Sequence, residues 1–156
     1  MSGARLSEPL RIHVDGASRG NPGEAGYGVS VVGADGLGDA ALYGYLGRTT
    51  NNVAEYQALL HGLQYALARG ARSVEVFSDS ELMVKQLQGA YRVRQPHLVP
   101  LHRLAKSLLA RFEAATVAHV LRSRNREADR LANRAVDERA TNWPADVAAP
   151  DQVQPT

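Results

Sequence analysis

The stretch TTNNVAEYQALLHGLQYAL, residues 49–67, marks the point where the hydrophobic period of the chain changes, and its reading decides the fold. Stepping four residues at a time from Glu55 lands on Leu59, Leu63 and Leu67, which predicts an amphipathic helix. The helix starts after Thr50-Asn51-Asn52, residue types suited to an N-cap, and stops at Gly70, suited to a helix end. Glu55 shares the leucine face. A buried carboxylate without a partner is costly, so it needs an ion pair, with Arg19 or Arg48 as candidates, a metal, or a semi-exposed pocket at the helix end.

Upstream of this helix the pattern has period two. Arg11–Asp15 (RIHVD), Gly26–Val32 (GYGVSVV) and Ala41–Gly47 (ALYGYLG) read as strands. The glycine-rich ASRGNPGEAG reads as a long turn between the first two, and Asp35-Gly36 as a hairpin signal between the second and third. Short connections imply an antiparallel meander. Downstream, Ser73–Ser78 reads as a strand, Asp79–Leu87 as a short helix, Leu98–Ala114 as a helix with Pro100 in its first turn, and Thr116–Leu121 as a strand. Asn125 caps a last helix running to about Arg139. The order predicts an α/β fold with a five-stranded mixed sheet, three antiparallel strands then two parallel ones, flanked by helices. Residues 1–10 read as a flexible N-terminus, 11–140 as the domain, and the proline-rich 141–156 as a disordered tail or linker stub.

The 156 residues suit one domain. With no cysteine, the chain has no disulfides, thiolate zinc sites or cysteine nucleophile. There is neither an apolar signal core nor a run of membrane-spanning length, so a cytoplasmic, soluble protein without a membrane partner is expected. The net charge of +2 conceals an asymmetry: residues 92–134 hold ten Lys and Arg against three acids. Such clustering is either a solvated helix face or the footprint of a polyanion such as nucleic acid.

Four acids stand at the ends of elements: Asp15 and Asp79 close strands, Glu55 opens the first long helix, and Asp129 lies one turn into the last. Strand C-termini and helix N-termini gather at one edge of such a sheet. Singly, each acid has an ordinary reading: Asp79 as an N-cap, Asp15 as a turn residue, Asp129 and Glu55 as ion-pair partners. Together they form a set of hard oxygen ligands that favours Mg²⁺ or Mn²⁺. Two such ions about 3.5–4 Å apart serve phosphodiester hydrolysis.

The segments VDGASRGNPGEAGYG (14–28), TTNNVAEYQAL (49–59), FSDSELMVKQL (77–87) and RNREADRLAN (124–133) occur in an order and spacing that resemble type 1 ribonuclease H. The resemblance covers nearly everything from Arg11 to about Arg139 and implies the ribonuclease H-like fold. It implies endonucleolytic hydrolysis of the RNA strand of an RNA/DNA hybrid, leaving 5′-phosphate and 3′-hydroxyl ends. It places Asp15, Glu55, Asp79 and Asp129 on the catalytic carboxylates that hold two Mg²⁺, with Mn²⁺ as a substitute and Asp15 bridging both ions. Asn21, Asn51 and Asn52 become minor-groove contacts, where 2′-hydroxyls distinguish RNA from DNA, and Thr50 a contact to DNA phosphate.

The chain departs from many bacterial members of that family at two places. GAYRVRQPHLVPLH lacks the tryptophan- and lysine-rich basic insertion, and LRSRNREAD has no histidine in the loop before Asp129. This resembles a compact bacterial and archaeal form. Arg92, Arg94 and the arginines of the last helix are candidates to replace the insertion, and Arg122 and Arg124 to serve as auxiliary residues in the absent histidine's place. A monomer is expected, with double-stranded RNA as a second candidate partner. Two rival readings are a non-catalytic hybrid-binding module, which would lose the acids, and a carboxylate exonuclease, whose DxE pattern is missing because Gly16 and Ala17 follow Asp15.

Overall fold

A computed structural model of the chain describes residues 8–34 and 36–150. Residues 1–7 of the expected flexible N-terminus, Asp35 of the expected hairpin turn and residues 151–156 of the expected tail lie outside them.

Three strands come first: β1 (Leu10–Gly20), β2 (Gly23–Val32) and β3 (Ala40–Thr49). Both β1 and β2 are longer than their apolar alternation suggested. The expected long turn is mostly strand, because the antiparallel pairing continues to Gly20 opposite Gly23, leaving Asn21-Pro22 to turn the chain through a cis peptide bond. Small residues hid this extension, since backbone hydrogen bonds extend a ladder without help from apolar side chains. Leu10, placed with the flexible N-terminus by its sequence, is instead a buried strand residue beside Val74.

Helix α1 (Asn51–Ala68) follows, with Thr50 Oγ1 accepting the N–H of Val53 at 3.3 Å and Gly70 leaving the helix at φ +83°. The left-handed conformation there suits glycine, which has no Cβ to clash. Next come β4 (Ser73–Ser78) and α2 (Glu81–Leu87), the latter capped by Ser80. Helix α3 (Val99–Leu109) ends earlier than its spacing predicted, and β5 (Ala114–His119) begins correspondingly earlier. After a turn of 3-10 helix at Arg122–Arg124 the chain enters α4 (Arg126–Glu138).

The strands form one mixed sheet in the order β3-β2-β1-β4-β5. Pairing is antiparallel between β1, β2 and β3 and parallel between β1, β4 and β5, which is the predicted mixed sheet. The two faces separate by residue parity along β2. Val29 faces α1, joining Ile12, Val14, Leu59 and Leu63 in a core where each is fully buried, with α3 outside α1. Gly28 faces α4, and a Cβ there would lie 2.2 Å from the carbonyl oxygen of Ala128. Helix α4 therefore rests almost on the sheet backbone, with Leu131 and Ala135 against Tyr43.

Residues 141–150 are not a loose tail. Asn142 exchanges backbone and amide hydrogen bonds with Ala41 and Tyr43 along the outer edge of β3, at 2.8–3.0 Å. Trp143 then packs on the core beside α1, its ring edge-on to buried His61 at 5.0 Å, and Val147 is buried. The proline-rich composition concealed this because one indole and one amide, not a periodic apolar face, hold the segment.

Candidate functional site

The site is built around residues 14–16 of β1. In the parallel pairing of β1 with β4, Val14 stands opposite Ser78, so the next residues in each chain, Asp15 and Asp79, emerge side by side. Helix α1 approaches through Gly16, where a Cβ would lie 2.4 Å from the backbone of Ala54 and Glu55. The Gly16 N–H donates to Glu55 Oε2 at 3.2 Å. Helix α4 is tied to the same place by Asn125, whose Nδ2 donates to the carbonyl of Val14 at 3.0 Å. One hydrogen bond thus fixes each helix to the segment carrying the first acid.

The result is convergence. Carboxylate oxygens of Asp15, Glu55 and Asp79 lie within 4.8 Å of one another. Asp129, in the first turn of α4, stands outside that trio but lines the same open cleft of about 490 Å³. Asp15 and Glu55 are buried, at 4% and 5% exposure, while Asp79 and Asp129 are half-buried.

Burial is the main cause that raises the Asp15 carboxyl far above the usual range, followed by the charges of Glu55 and Asp79 and by Asp129. Glu55 is raised as well, first by burial and then by Asp79, with the Gly16 N–H working in the opposite direction. No Lys or Arg is among the main causes of either shift. Of the cations named as partners for Glu55, Arg19 donates instead to Asn133 and Asp137, and Arg48 is exposed opposite Glu24. Acids packed this closely can all ionise only beside a compensating charge, and oxygen donors fit a hard dication such as Mg²⁺ or Mn²⁺.

Asp79 is not the N-cap of α2; Ser80 is, its Oγ accepting the Met83 N–H at 3.3 Å, which leaves the Asp79 carboxylate for the cleft. Thr50 does cap α1. Asn21 at the turn of β1 and β2 accepts the N–H of Asn51 at 3.0 Å, so this hairpin is docked on the start of α1. Asn51 is exposed and lines the cleft, and Asn52 is half-buried beside it. Arg122 also lines the cleft, whereas Arg124 is exposed away from its lining. His119 is exposed at the end of edge strand β5.

Sequence reasoning missed Ser80 and Asn133 and named Arg19 only as a partner for Glu55; all three line the cleft. For Asn133 a signal existed: it follows Asp129 by four residues on a helix and so shares its face. Alongside α2 and the segment after it, Leu82, Tyr91, Arg92 and Arg94 border a shallow groove, with the ammonium of Lys85 5.8 Å from the Tyr91 ring centre. Among the described residues no helix is long and apolar enough to cross a membrane.

Residues 13–135 match a family model described as reverse transcriptase-like. The "Bifunctional protein Rv2228c" of Mycobacterium tuberculosis is 45% identical over 136 residues, covering 86% of this chain and 37% of that one. The "Ribonuclease HI" of Halobacterium salinarum is 43% identical over 130 residues, covering 82% of this chain and 65% of that one. This chain therefore spans only about a third to two thirds of these relatives. The crystal structure of LC11-RNase H1 in complex with an RNA/DNA hybrid superposes with a TM-score of 0.77 at 38% identity, covering 83% of this chain and 98% of that one.

Proposed function

Since this chain belongs to the type 1 ribonuclease H family, we propose that it hydrolyses the RNA strand of RNA/DNA hybrids, cutting internally and leaving 5′-phosphate and 3′-hydroxyl ends. The observation that carries this reading is the convergence of Asp15, Glu55 and Asp79, with Asp129 lining the same cleft. A binding module would have no use for so costly an arrangement.

Asp15, Glu55, Asp79 and Asp129 would hold two Mg²⁺ ions, with Mn²⁺ able to replace them. Bound there, such ions lower the pKa of water and stabilise charge on the leaving 3′-oxygen. The chain's own part is to position and to bind. The β1–β4 register sets Asp15 beside Asp79, the Gly16 N–H turns Glu55 toward them, and burial of Asp15 and Glu55 limits the screening of their charges by water.

The start of α1 and the hairpin docked on it offer Asn21, Asn51 and Asn52 to a minor groove, and Thr50 to a phosphate. There a 2′-hydroxyl provides both a donor and an acceptor for an amide, which is the basis for choosing RNA. The exposed Arg92 and Arg94 follow α2, whose start adjoins Asp79, and suit the phosphates of the same duplex. The protein acts in the cytoplasm as a monomer, and double-stranded RNA is a secondary ligand.

The test is cleavage of an end-labelled RNA strand within a hybrid, in Mg²⁺, Mn²⁺ or EDTA, beside Asp79→Asn. Internal cuts that require metal and disappear in the variant support the reading. A hybrid that is bound yet intact under every ion overturns it in favour of a binding module, and cutting of DNA from its ends favours an exonuclease.

A further inference from the structure

Asp129 differs from the other three acids in how it is held. It projects from a helix, is half-buried, and lies outside the tight trio. A side chain in that situation has several rotamers open to it, and ordering one of them costs conformational entropy. Its partner is Asn133, one turn further along α4: Asn133 Nδ2 lies 2.9 Å from the Asp129 carbonyl oxygen and 3.2 Å from its Oδ1.

The other side of that amide faces a different element. Asn133 Oδ1 accepts a hydrogen bond from Arg19 Nη2 at 3.0 Å, and the same nitrogen reaches Asp137 Oδ1 at 2.8 Å. Asp129, Asn133 and Asp137 are thus three successive rungs on one face of α4, with the guanidinium of β1 laid across the last two. The chemistry leaves the amide one orientation. Asp129 presents only acceptors to it and Arg19 only donors, so the NH₂ must face the acid and the carbonyl oxygen the guanidinium.

We propose that Arg19 and Asn133 are positioning residues for Asp129: the guanidinium sets the direction of the amide, and the amide sets the carboxylate toward the cleft. This rests on the reading of the four acids as a metal-holding set and deepens it. Neither residue need touch the metal or the reacting phosphate. Partners one step removed from metal ligands typically change metal affinity or activity by about 10–100-fold when lost.

The test compares wild type with N133A, R19A, the double variant R19A/N133A, R19K and the control D137A, which removes only the outer partner of Arg19. Two quantities are read: kcat and KM on an RNA/DNA hybrid, and the rise in Tm produced by Mn²⁺ alone. The proposal expects N133A and R19A each to lower kcat about tenfold at nearly constant KM and to shrink the Mn²⁺-induced rise. The double variant should be no worse than N133A, R19K should recover part of the loss, and D137A should resemble wild type.

The opposite pattern overturns the proposal: R19A raises KM at constant kcat and adds in full to N133A, as a direct contact with the hybrid would. Wild-type kcat and Mn²⁺ response in N133A overturn it equally. If wild type itself makes no metal-dependent cuts, the ribonuclease reading fails separately. The Mn²⁺ shifts then decide the pair alone, smaller shifts in N133A and R19A supporting it and equal shifts overturning it.

Discussion

The N–H of Gly16 donates to Oε2 of Glu55, and at that point the backbones of β1 and α1 leave no room for a side chain between them. A methyl group on Gly16 would meet Ala54 C and Glu55 N at 2.4 Å, both backbone atoms that no rotamer change can move. Gly16→Ala is therefore expected to cost about 2 kcal/mol or more in a denaturant melt, in the range of overpacked cores. It should also cost more than tenfold in hybrid cleavage, because α1 must withdraw and take Glu55 with it.

Asp15 and Glu55 both have carboxyl pKa values raised by folding. The native state then binds more protons than the unfolded chain over the interval between the two values. Their contribution to stability is complete below the unfolded value near pH 4 and is lost as pH rises toward the folded values. In EDTA the Tm should fall between pH 5 and pH 8, and Mg²⁺ should flatten that fall, with protons released as it binds. Asp15→Asn should raise metal-free stability at pH 8 by about 1–3 kcal/mol while abolishing cleavage. A metal-free Tm that increases from pH 5 to pH 8 would contradict this account.

Trp143 rests on the core through its ring while Nε1–H donates to the carbonyl of Val147 at 2.7 Å. Trp143→Ala should lower stability by about 3 kcal/mol, as large aromatic truncations do. Ending the chain after Ala140 should lower the Tm further, because the outer edge of β3 also loses its hydrogen bonds to Asn142. Thermal melts of the two variants decide the point.

Arg122 lines the acidic cleft and Arg124 does not. Single-turnover and steady-state cleavage should therefore separate them, with Arg122→Ala reducing turnover several-fold and Arg124→Ala remaining within about twofold of wild type. Equal effects would remove the distinction.

Arg92 and Arg94 flank the groove beyond α2 and are exposed. If each meets one phosphate, Arg92→Ala and Arg94→Ala should each weaken hybrid binding without changing sequence preference. Each should also reduce the slope of log K against log salt by about 1. Titrations at three salt concentrations measure it.

Sequence alone determined the kinds and order of the elements, because the shift from period two to period 3.6 at Thr49–Leu67 is a local property of neighbouring side chains. It also singled out the four acids, since a carboxylate on a leucine face or at a strand end conflicts with its surroundings wherever the chain goes. Strand lengths near Gly16–Gly26 were not legible, because backbone pairing there carries no apolar signature. The packing of residues 141–150 was hidden for a similar reason, resting on single contacts made by Asn142 and Trp143. Tertiary structure alone decided that Ser80 caps α2, which leaves Asp79 for the cleft. It also decided that Arg19 turns from Glu55 to Asn133, a residue 114 positions away in the chain. Such choices depend on which donor and acceptor meet across the sheet, and those meetings exist only once α1 and α4 have closed on β1.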